Sequence, residues 1–173
     1  MQAVIFAAVG VVLIVAENAW KTFLPFDLTA AQFGFVWILS LGLLDHPVRG
    51  AVFAFAVGFI HDSLVGSLPG LDAAVYTTAY FLMMFSGKAF FPRSMIFHVI
   101  AVAGLTVIAV MLRSFFLFIF PSCDPMIGFS MADLPMQTLM NCAAAIAIFP
   151  FMFRLDDLTG PKRGDMYYLP SSW

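Results

Sequence analysis

Charge is what this sequence has least of. Lysine and arginine number 8 and aspartate and glutamate 10 in 173 residues, so 10% of the chain is charged while 62% is hydrophobic. A soluble domain carries about 25% charged residues. So few charges cannot cover that much apolar surface in water. A soluble globular fold is excluded, and the solvent of most of the chain is lipid. Cysteine is equally scarce. Cys123 and Cys142 have neither the spacing of a disulfide framework nor that of a metal site, and read as small apolar residues. No basic cluster is present, which excludes a nucleic-acid surface. Lysine and arginine are also missing ahead of the first apolar run, so "MQAVIFAAVGVVLIVAENAW" reads as a retained first helix and not a cleaved signal.

What is there is a series of long apolar stretches. A membrane-crossing helix needs about 20 such residues. The expected spans are 3–20, 28–44, 48–66, 71–87, 95–120 and 135–153. Helix is the only element that satisfies its own backbone in lipid, and the short alternating segments of a barrel are missing. The expected fold is therefore an all-α integral membrane bundle of six transmembrane helices. Residues 1–153 form one domain and 154–173 a polar cytoplasmic tail. Cations orient the bundle. With the N-terminus inside, Arg49, Lys88, Arg93, Arg154, Lys162 and Arg163 are cytoplasmic, Lys21 alone is outside, and Arg113 is within a span. Both termini are then cytoplasmic.

Polar groups inside a bilayer cost at least about 2.5–3.5 kcal/mol each and need a partner, water or a task. Here they gather at one level. Glu17 and Asn18 end the first span, and His61 and Asp62 lie about one turn from the end of the third. Arg113 lies about two turns, roughly 10 Å, below Phe120. Asp72, Tyr76 and Thr77 open the fourth span, and Gln137 and Asn141 open the sixth. All fall in the outer third of the membrane.

Two readings of that level compete. In one, Asp62 and Arg113 pair as scaffold, tying the third helix to the fifth, with Glu17 or Asn141 completing the hydrogen bonds. In the other, the level lines an outward-facing pocket or groove for a ligand or a partner segment. The two are compatible. Catalysis has little support. Ser63, Asp62 and His61 are adjacent, and adjacent helical residues point apart, so they make no triad. His46 and His98 fall on the opposite side from His61, so no metal cluster forms. A proton carrier would place its carboxylate deeper than Asp62. Asp156 and Asp157, in the tail, read as a solvated helix end. No cofactor is expected.

Gly58 and Asp62 share a helical face with Gly50, and small residues let helices approach closely in lipid. Ala3 and Ala7 form a similar small pair, ordinary in an alanine-rich helix. Pro69-Gly70 marks a tight turn.

Gly50, Gly58, Asp62, Gly66 and Gly70, spaced as G…G-x-x-x-D-x-x-x-G-x-x-x-G across the third and fourth spans, resemble the pattern of the rod shape-determining protein MreD family. Length, helix count and both termini inside agree with it, and "SLPGLDAAVYTTAYF" resembles the start of the family's fourth helix, with Leu68-Pro69 in exchanged order. The resemblance implies a non-enzymatic, multi-pass subunit of the bacterial inner membrane, part of the cell-elongation machinery (elongasome). It implies binding to the bitopic protein MreC, and through it help in coupling MreB filaments to the glycosyltransferase and transpeptidase of peptidoglycan synthesis. It also implies a bundle like that of the substrate-binding S components of energy-coupling-factor vitamin transporters. Being such an S component is the alternative function. The candidate structural and partner-groove residues are Asp62, Arg113, Glu17, His61, Asn141, Gly58, Gly66 and Gly70.

Overall fold

A computed structural model describes residues 2–23, 31–44, 47–65, 69–89, 95–119 and 133–159. The described residues form six helices: α1 (Gln2–Phe23), α2 (Phe33–Leu43), α3 (Pro47–Val65), α4 (Leu71–Ala89), α5 (Met95–Ile119) and α6 (Leu134–Thr159). α1, α5 and α6 are long and apolar enough to cross a bilayer. α3 and α4 have 19 residues each, about 28 Å, with polar residues interspersed.

α2 departs most from its expected span. Its 11 residues rise only about 16 Å, roughly half the hydrocarbon thickness. It is the centre of the bundle, packed against α1, α3, α4 and α6, with every residue from Gly34 to Gly42 buried. A helix apolar all round is stable only with neighbours all round. α5 packs on α4 and α6 at the periphery. The opposite pattern marks the outside. Val4 and Val15 of α1, Val52 of α3, Ile100 and Phe118 of α5 and Leu139 of α6 are all exposed. So many exposed large apolar side chains would be costly in water; in lipid they are simply solvated.

Because lipid is as apolar as leucine, close packing rather than apolar burial holds such helices together. Glycine supplies the closeness. A side chain at Gly10 would overlap the ring of Trp37, and one at Gly50 the ring of Tyr80. At Gly42 it would press on Met83 and on the Tyr80 carbonyl. α1 thus meets α2, α3 meets α4, and α2 meets α4, each through a glycine.

α6 continues past Phe153 to Thr159, so helix replaces the first part of the expected tail. Asp156 there is buried rather than solvated, because Gln2 Nε2 donates to its Oδ1 at 2.8 Å, joining the start of α1 to the end of α6. Asp157 is exposed.

Candidate functional site: a polar layer that caps helix starts

The first backbone N–H groups of a helix have no partner within it. In lipid no water can serve them. At one end of this bundle they are served by side chains from neighbouring helices. α4 begins after Gly70, whose φ of +92° favours glycine and which has no side chain to cap with. Asp62 of α3 fills that role from across the interface. Its carboxylate accepts from Gly70 N at 2.9 Å, Asp72 N at 2.8 Å and Ala73 N at 3.3 Å. A negative charge at a helix N-terminus is also favoured by the helix dipole. Gly58, one turn before Asp62, makes this possible. A Cβ there would overlap the Ala73 backbone and the Asp72 carbonyl. Gly58, Asp62 and Gly70 therefore serve the apposition of α3 on the start of α4, and Gly50 admits the Tyr80 ring further along the same helix pair. Gly66 lies outside the described residues.

α2 is treated the same way. Its N-cap, Gln32, makes no side-chain cap. Glu17 of α1 accepts from Gly34 N at 3.2 Å, and Asn141 Oδ1 of α6 accepts from Gln32 N at 2.9 Å. Asn141 in turn donates to Thr106 of α5 at 3.3 Å. Asn141→Ala should cost about 1–3 kcal/mol, because it strips a buried acceptor from the Gln32 N–H. Thermal unfolding in detergent measures it, and a loss well below that range would show that the contact is dispensable.

The charges meet at Asp72. His61 Nδ1 lies 2.6 Å from Asp72 Oδ2. Arg113 donates to Asp72 Oδ1 through Nε at 2.9 Å and also through Nη2. His61 Nε2 stands 3.7 Å from Glu17 Oε1. Glu17, His61, Asp72 and Arg113 thus form a chain through α1, α3, α4 and α5. Glu17, Asp62 and Asp72 are all 3% exposed or less, so charge is held here by contacts and not by solvent. Tyr76 packs its ring beside His61 and Phe35, and its hydroxyl is buried without a hydrogen-bond partner among the described residues.

The expected Asp62–Arg113 pair is therefore corrected. Arg113 ties α5 to α4, through Asp72, while Asp62 is occupied by the backbone of α4. The reason is local. Asp62 sits where Gly58 brings α3 onto three N–H groups, and Asp72 is the carboxylate left facing α5. Glu17, His61 and Arg113 fall in one network, Asn141 in a smaller one beside it. Asp72, Gln32, Gly34 and Thr106 were absent from the candidate set. Asp72 was legible as one member of the polar level and as an acid in the first turn of a helix, and neither signal marks it as the partner of Arg113.

Between α1 and α3 runs a furrow of about 510 Å³, lined by Val11, Ile14, Val15, Asn18, Ala19, Ile60 and Leu64. It is apolar apart from Asn18. Among the described residues, no three histidine, cysteine or acidic side chains are grouped to hold a metal ion.

The chain matches the model of the family described as rod shape-determining protein MreD over residues 1–157. No curated protein and no solved structure matches it.

Proposed function

Because this chain belongs to the rod shape-determining protein MreD family, we propose that it is a non-enzymatic membrane subunit of the machinery that elongates rod-shaped bacteria. It resides in the inner membrane as a six-helix bundle with both termini in the cytoplasm, and its polar layer faces outward. It binds MreC and so helps couple MreB filaments to peptidoglycan synthesis.

The observation that carries this reading is how the polar residues are used. Asp62 accepts from three backbone N–H groups, and Asp72 binds both His61 and Arg113. Groups engaged in this way position helices. They are poor candidates for a reaction, and Asp62 is a poor candidate for a proton carrier. A vitamin-binding S component finds less support. The furrow between α1 and α3 offers a polar ligand little besides Asn18.

Purification of the tagged chain in mild detergent should bring MreC with it, and depletion should round or widen the cells. Failure of MreC to co-purify, together with unchanged cell width on depletion, would overturn the proposal.

A further inference from the structure

We propose that one buried water molecule sits between α1, α3 and α4, held by the Glu17 carboxylate, His61 Nε2 and the Tyr76 hydroxyl. Two buried polar atoms point to it. His61 Nε2 is buried and has no hydrogen-bond partner among the described residues. The same is true of the Tyr76 hydroxyl, in a side chain that is 1% exposed. Buried polar groups are paired as a rule, because an unpaired one has given up its hydration for nothing. Lipid offers them no partner.

Both atoms border Glu17. Its Oε1 stands 3.7 Å from His61 Nε2. Of the charges around Tyr76, Glu17 acts most strongly on the hydroxyl. The Tyr76 and His61 rings lie 5.8 Å apart, centroid to centroid. The neighbouring acids are engaged elsewhere. Asp72 binds His61 Nδ1 and Arg113, and Asp62 binds the backbone of α4. Glu17 Oε2 accepts from Gly34 N, but an ionised carboxylate has about four lone-pair sites and can accept again.

At 3.7 Å the imidazole and the carboxylate are too far apart for a direct hydrogen bond and too close for a water on the line between them. A water about 2.8 Å from each lies about 2 Å to the side of that line. That position leaves it a third contact, which the Tyr76 hydroxyl supplies. Water has the chemistry for all three. It donates to Glu17 Oε1 and accepts from the Tyr76 O–H. It accepts from His61 Nε2 when that nitrogen carries a proton and donates to it when it does not. Three hydrogen bonds are the usual number for a buried water. A metal ion fits less well, since no three acidic, histidine or cysteine side chains are grouped for one among the described residues. The water joins three helices, through Glu17 of α1, His61 of α3 and Tyr76 of α4.

Tyr76→Phe tests this by the sign of its effect. Removing an orphaned buried hydroxyl stabilises a protein, whereas removing one bonded to a buried water destabilises it. The expected folded-to-unfolded ratio in mild detergent is lower than in the wild type by about two- to tenfold, the contribution of one hydrogen bond. A ratio equal to or above that of the wild type overturns the proposal. The second measurement is a crystal structure of the full chain, grown from a lipid phase and sharp enough to show ordered water. Density for a water within about 3.2 Å of Tyr76 Oη, His61 Nε2 and a Glu17 carboxylate oxygen is expected. A dry site overturns the proposal, as does a direct bond from Tyr76 or His61 to Glu17 in its place. If Tyr76→Phe does not fold, the wild-type structure decides.

Discussion

Arg113→Ala should destabilise the protein by about 3–5 kcal/mol, the cost of breaking a buried ion pair by removing one partner. The guanidinium is the only link through which α5 meets the charged chain among the described residues, and it is 14% exposed. Its loss leaves the Asp72 carboxylate, 2% exposed, short of the charge that compensates it. Asp72→Ala should cost a similar amount for the mirror reason. The decisive measurement is the double variant. If the two side chains meet as described, the double loss should be smaller than the sum of the single losses by about 0.5–3 kcal/mol, the coupling of groups in contact. Strict additivity would show that they do not meet. Asp62→Ala acts differently. It removes a helix cap, at about 0.5–2 kcal/mol, and no change at Arg113 should restore it.

Gly58→Val should cost about 3 kcal/mol or more, at or beyond the usual range for overpacking. Overpacking is inexpensive where a flexible side-chain end can turn away. At Gly58 the obstacles are the backbone atoms of Ala73 and the Asp72 carbonyl, within the first turn of α4. They can retreat only if α4 moves off α3, and the three bonds to Asp62 then lengthen together. Gly104→Ala is the control. Nothing lies within 4 Å of a Cβ there, so its stability should stay within about 0.5 kcal/mol of the wild type. Equal tolerance at both glycines would refute the close approach of α3 to α4.

The membrane class was legible in the sequence because it is a property of composition, and composition survives any arrangement of the chain. The polar level was legible for a related reason. Helical rise converts a residue number directly into depth, so Glu17, His61, Asp72, Arg113 and Asn141 could be set at one height before any contact was known. The family was legible as a resemblance in the pattern of Gly50, Gly58, Asp62, Gly66 and Gly70, and close helix approach explains why Gly50 and Gly58 are glycine.

Partners were not legible. Depth says nothing of azimuth, and Asp62, Asp72 and Glu17 are equivalent candidates for Arg113 on depth alone. The choice was made by the packing of α3 on α4. That contact turns Asp62 toward backbone N–H groups and leaves Asp72 facing α5. The burial of Asp156 was hidden in the same way, since Gln2 is its partner from the far end of the chain. The length of α2 was hidden too. An apolar run from 28 to 44 looks like a full span, and only the neighbours that cap its start show the helix beginning at Phe33. By itself the sequence determined the solvent of the chain, the height of its charges and the glycines on which its helices could close. The tertiary structure alone decided which carboxylate serves a charge and which serves a helix start, because that depends on the direction each side chain faces once the helices have packed.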